Sequence, residues 1–199
     1  MAQLHPGVRF NFPLFLTWCR IVAIPLFVAV LYMPESWISE RMANVTSMWI
    51  FIAAAITDWL DGWLARRWNQ TTSFGAFLDP VADKLMVAAA LIVLTEKGLI
   101  NPLVSLIIIG REITISALRE WMAQIGQSRS VAVNILGKVK TVSQLVAIPF
   151  LLFNGVLFGL FHTVIVGRWL IGIAAVITLW SMGVYLKAAI ESPPGTPPK

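Results

Sequence analysis

The four aspartates of the chain, Asp58, Asp61, Asp79 and Asp83, all lie between positions 58 and 83, where they straddle the ends of two apolar stretches. An ionisable side chain at the centre of a membrane-crossing helix costs roughly 3 kcal/mol or more, so such groups mark functional sites by default. Positions 58, 61, 62 and 65 share one helical face, which carries Asp, Asp, Gly and Ala. Gly62 and Ala65 are small enough to admit either a ligand against the backbone or a neighbouring helix. Gly75, Asp79 and Asp83 recur every four residues and make a second face of the same kind. Residues 67–73 between them are short and polar, which predicts two adjacent antiparallel helices and converging carboxylates. Like charges about 4 Å apart repel by roughly 4 kcal/mol at an effective dielectric near 20, so a cation must stand among them. Arg66 and Lys84 are near in sequence and would neutralise part of the cluster. Two hard divalent ions, Mg²⁺ or Mn²⁺, would balance all four acids, because such ions prefer oxygen ligands. Paired ions polarise a phosphoryl group and hold its attacking and leaving oxygens, so phosphoryl chemistry is expected.

The elements that must position these acids are membrane helices. At 58% hydrophobic residues and a mean hydropathy of +0.78, the 199-residue chain carries more apolar surface than a soluble core of this size buries. About six stretches approach the roughly 20 residues needed to cross a bilayer, near 14–33, 44–66, 76–95, 101–122, 139–160 and 164–187. The expected fold is all-α and polytopic, with six transmembrane helices in one domain over residues 1–190. The Pro-rich segment 191–199 is expected as a disordered tail. Arg9, Arg66, Arg67, Arg119, Arg129, Lys138, Lys140, Lys187 and Lys199 gather on one side of this arrangement, against Arg41, Lys97 and Arg168 on the other. The positive-inside rule then places both termini and the aspartates on the cytoplasmic side. Cys19, the single cysteine, has no partner for an internal disulfide.

The stretch Asp58-Trp-Leu-Asp61-Gly62-Trp-Leu-Ala65-Arg66, followed after eight residues by Gly75 and then by Asp79 and Asp83, resembles the signature of the CDP-alcohol phosphatidyltransferases at every position. Segments 57–70, 74–84, 111–121 and 137–141 extend the resemblance along the chain and are similar to the branch that acts on glycerol 3-phosphate. The resemblance implies transfer of a phosphatidyl group from CDP-diacylglycerol to glycerol 3-phosphate, giving phosphatidylglycerol phosphate and CMP, within the bacterial cytoplasmic membrane. It also implies two bound Mg²⁺ or Mn²⁺ ions and a homodimer, and nucleic acid is not an expected partner. Carried over residue by residue, Asp58, Asp61 and Asp79 would hold the metals. Asp83 would lie beside them, as a further ligand or as the base that takes the proton of the attacking hydroxyl. Gly62, Ala65, Arg66 and Gly75 would cradle the cytidine diphosphate. Upstream, Asn11, Pro13, Thr17 and Arg20 are similar to the motif that opens the first helix in this family, although Leu14 stands where many relatives carry a second Asn. Thr17 and Arg20 are i, i+3 neighbours able to reach the nucleotide or its phosphates, while Arg20 alternatively anchors the helix at the interface.

A dianionic acceptor needs cations outside the aspartate cluster, and Arg111, Arg119, Lys138 and Lys140 are available for it. The same residues also serve the positive-inside pattern, and Glu112 or Glu120 would pair with Arg111 structurally. Two rival classes use acids on membrane helices. A prenyltransferase would have a longer chain without the Asp-Gly and Ala-Arg pairs, and a cation transporter would set its acids near the bilayer midplane rather than toward one side.

Overall fold

The computed structural model describes residues 12–68, 73–124 and 135–191. Among these the chain forms six helices: α1 Phe12–Leu31, α2 Glu40–Trp68, α3 Ser73–Glu96, α4 Pro102–Gln124, α5 Ile135–Phe153 and α6 Thr163–Glu191. Three stretches, Leu14–Leu31, Glu40–Leu64 and Thr163–Gly183, are by length and composition apolar enough to cross a membrane, and Val139–Phe153 is a shorter apolar helix. That pattern fits a membrane-embedded chain of mostly helical structure. α6 continues through Glu191, one residue into the expected tail, and residues 192–199 lie outside the described ones.

Local chemistry sets the helix ends. α3 stops at Gly98, whose φ of 68° only a residue without Cβ adopts freely, and the Leu99 N–H closes the end on the Leu94 carbonyl at 2.9 Å. Asn101 then caps α4 by accepting the Leu103 N–H at 2.9 Å, with Pro102 at the first helical position. The stretch 139–160, expected as one span, is interrupted at Phe153. Asn154 turns left-handed there (φ 43°), and a short hairpin follows, the two-residue β1 Val156–Leu157 pairing antiparallel with the two-residue β2 Phe161–His162. Phe158 and Gly159 at its tip both have positive φ, as the tight turns favoured by right-twisted strands require.

The core is shared by all six helices, with Phe27, Phe51, Leu91, Ile108, Ile148 and Ile171 all but fully buried. α5 packs most extensively on α6. There Gly167 lets the helices approach so closely that an added Cβ would lie 2.6 Å from Leu151 Cγ. α1 packs broadly on both α2 and α3, whereas α2 and α3 touch each other only sparingly. The direct α2–α3 pairing expected from the short loop is therefore corrected: α1 is the wedge through which the two aspartate helices are joined. Lys97, Arg41 and Arg168, assigned by sequence to the side away from the aspartates, do collect at the opposite end. Lys97 pairs with Glu40, Arg41 lies over the Phe153 ring, and Arg168 donates to the Gly98 and Leu99 carbonyls.

Candidate active site

Three helices deliver the site. Asp58 and Asp61 lie about 27 and 31 Å along α2 from its start, given 1.5 Å of rise per residue. The chain has then crossed the bundle, and α3 begins its return with Gly75, Asp79 and Asp83 in its first turns. α1 starts at this same end and presents Thr17 and Arg20 from one face.

Arg20 joins the two aspartate helices. Its Nη1 lies 2.9 Å from Asp83 Oδ1 and 3.1 Å from Asp58 Oδ1, and its Nη2 lies 2.6 Å from Asp61 Oδ2. One turn earlier, Thr17 Oγ1 donates to Asp79 Oδ1 at 2.5 Å. All four carboxylates are thus held by one turn of α1, and the planar guanidinium offers several donors in fixed directions, as a shared hub requires. Arg20 is a cation that stands among the acids, a placement the sequence reading did not give it, while the Arg66 side chain lies outside the described ones. Lys84 is half-buried and forms no ion pair among the described residues. Arg20 is 2% exposed and bound to carboxylates of two helices, not reaching out to the interface as a snorkelling anchor would. The sequence signal for this role was its i, i+3 spacing from Thr17.

The carboxylates differ in access. The Asp61 side chain is 3% exposed and forms the floor, whereas those of Asp58 and Asp83 are 41% and 42% exposed and form an open rim. Gly75, one turn before Asp79, is buried, and Gly62 is partly exposed beside Asp61. The side chains of Ala65, Arg66, Arg119 and Lys138 lie outside the described ones. Among the described residues, no three acidic, histidine or cysteine side chains are arranged to ligate a single ion as they stand. The donor set nonetheless fits hard divalent ions in its chemistry, since it consists of four carboxylates from two helices gathered on a third.

A second polar group joins α4, α5 and α6. Arg111, buried in α4, donates from Nη2 to Ser181 Oγ of α6 at 3.1 Å and lies 3.6 Å from Glu112 Oε1. Lys140 of α5, equally buried, pairs with the same Glu112 oxygen. The structure so brings together Arg111 and Lys140, two of the four cations assigned to the acceptor, through the Glu112 that sequence reasoning named as a structural partner. Ser181 had no sequence signal, being one hydroxyl within an apolar helix.

The chain is similar to known proteins along most of its length. The family profile described as CDP-alcohol phosphatidyltransferase matches residues 10–180. Among similar proteins are the CDP-diacylglycerol–glycerol-3-phosphate 3-phosphatidyltransferases of Salmonella paratyphi A and Salmonella typhimurium. Each is 50% identical over 184 residues, covering 92% of this chain and 96% of the relative. The protein of that name from Escherichia coli K12 is 49% identical over the same shares. With the aspartate helices drawn together on α1 and a match of this extent, the chain belongs to the CDP-alcohol phosphatidyltransferase family.

Proposed function

We propose that the chain transfers the phosphatidyl group of CDP-diacylglycerol to glycerol 3-phosphate, releasing CMP and forming phosphatidylglycerol phosphate. The observation that carries this reading is the gathering of Asp58, Asp61 and Asp83 around one guanidinium, with Asp79 held beside them, at one end of a membrane bundle. Relatives about half identical over nearly their whole length bear the name of this reaction.

Asp58, Asp61, Asp79 and Asp83 would hold two Mg²⁺ or Mn²⁺ ions, which when bound stabilise charge on the donor's pyrophosphate. Asp83 stands on the open rim, where an incoming hydroxyl arrives first, and takes its proton. The hydroxyl oxygen of the acceptor bonds to the lipid-side phosphorus as the bond from that phosphorus to the CMP oxygen breaks. Gly62, Ala65 and Gly75, with little or no side chain, and Arg66 beside them in sequence would take the cytidine diphosphate. Arg111 and Lys140, with Arg119 and Lys138 on the same two helices, supply the positive charge for the acceptor phosphate. The buried Arg111 and Lys140 are both paired with Glu112, which orients them.

The wider setting is part of the same proposal. All six helices cross the bacterial cytoplasmic membrane as one domain, with the aspartate end and both termini in the cytoplasm, and the enzyme works as a homodimer. The far end keeps only Arg41, Lys97 and Arg168 against the nine cations that the sequence assigns to the aspartate side, and this asymmetry supports that orientation. Purified protein given CDP-diacylglycerol and Mg²⁺ with glycerol 3-phosphate, inositol phosphate, serine or phosphatidylglycerol in turn is expected to release CMP fastest with glycerol 3-phosphate. Faster release with another alcohol would reassign the acceptor.

A further inference from the structure

Arg20 touches three of the four carboxylates proposed to hold the ions, taking one oxygen of each. Two divalent ions alone would balance the four aspartates, which leaves the guanidinium in surplus and repelled at close range. Arg20 also has capacity in reserve. Its Nε is buried and has no hydrogen-bond partner among the described residues, so one donor of the fork remains for an acceptor that the protein itself does not provide. A pyrophosphate offers charge and oxygens of the kind such a fork binds best.

We infer that Arg20 and the divalent ions are alternative partners of one carboxylate set, Arg20 being a positioning residue that holds the aspartates together and passes to the donor's pyrophosphate as ions bind. This rests on the metal site proposed above. It follows that the ions and Arg20 compete, while ions and nucleotide cooperate through Arg20, so the donor binds after the metal. Thr17, one turn away, keeps Asp79 in place by a neutral hydroxyl and takes no part in the competition.

Mn²⁺ alone, titrated into the full-length protein in lipid nanodiscs and followed by the electron paramagnetic resonance of the free ion, tests this without any turnover. Arg20→Gln is expected to bind Mn²⁺ roughly tenfold more tightly than the wild type, and to bind CDP roughly tenfold more weakly at saturating Mn²⁺, within the usual range for coupled ligands. Arg20→Lys keeps the charge but reaches fewer carboxylates, and is expected to fall between the two; it carries the test if Arg20→Gln does not accumulate as folded protein. Equal or weaker Mn²⁺ binding in the variants, with normal binding by the wild type, overturns the competition. Undiminished CDP binding overturns the transfer to the pyrophosphate. No Mn²⁺ bound by any of the proteins overturns the metal site and this inference together.

Discussion

Asp61 and Asp58 sit three residues apart on one helix, yet their surroundings differ. Asp61 is 3% exposed and takes the shortest contact from Arg20, 2.6 Å, whereas Asp58 is 41% exposed at 3.1 Å. A buried charge partner cannot be replaced by water, so loss of the Asp61 carboxylate is felt in full, while at Asp58 solvent takes over part of its role. Asp61→Asn, which preserves shape and removes charge, is expected to lower the turnover rate by roughly 10²–10³-fold, the usual effect of deleting one preorganised electrostatic group. Asp58→Asn is expected to lower it less. CMP release at saturating Mg²⁺ measures both, and an Asp61→Asn protein within twofold of wild type would mean that the floor carboxylate is not needed. The acids themselves were legible in the sequence, because membrane-level aspartates at offsets of three and four have few structural uses. The identity of their counter-ion was not. Arg20 lies 41 residues from Asp61 and 63 from Asp83, and only the packing of α1 brings it there.

Helix packing places those residues, and it depends on close approach as much as on apolar area. Gly167 of α6 sits against Leu151 and the Ala147 carbonyl of α5, where a Cβ would meet Leu151 Cγ at 2.6 Å. Gly167→Ala is therefore expected to destabilise the bundle by about 1–3 kcal/mol through overpacking, seen as a lower thermal unfolding midpoint in detergent. Truncating the obstructing side chain in the double variant Gly167→Ala/Leu151→Ala should cost less than the sum of the two single changes, since each relieves the other. An unchanged midpoint in Gly167→Ala would show that the interface gives way freely. Six helices could be read from hydrophobic run length, and Gly98, Asn101 and Pro102 marked one boundary correctly. The end of α5 could not be read. Residues 154–162 are apolar enough to continue a span, and the break depends on left-handed backbone at Asn154 and a hairpin, neither of which hydropathy records. The α2–α3 loop likewise predicted direct pairing, because a short connection fixes which helices are close in sequence and not which third helix is driven between them.

Among the described residues, charged side chains gather at both ends of the bundle and are paired there. One end holds four carboxylates gathered by α1, and the other holds Arg168, Lys97 and Arg41 closing the turns. Four carboxylates at one end need compensating charge, which Arg20 supplies in part and which, on the proposed reading, divalent ions would complete. In the proposed reaction a lipid donor held in the bilayer and a water-soluble acceptor would meet at such an end. The most direct measurement is therefore CMP release from CDP-diacylglycerol and glycerol 3-phosphate in nanodiscs with excess chelator, followed by return of Mg²⁺. Release is expected to fall to background and to recover in full once free Mg²⁺ is restored. Undiminished release in saturating chelator would contradict a carboxylate site that works through divalent ions.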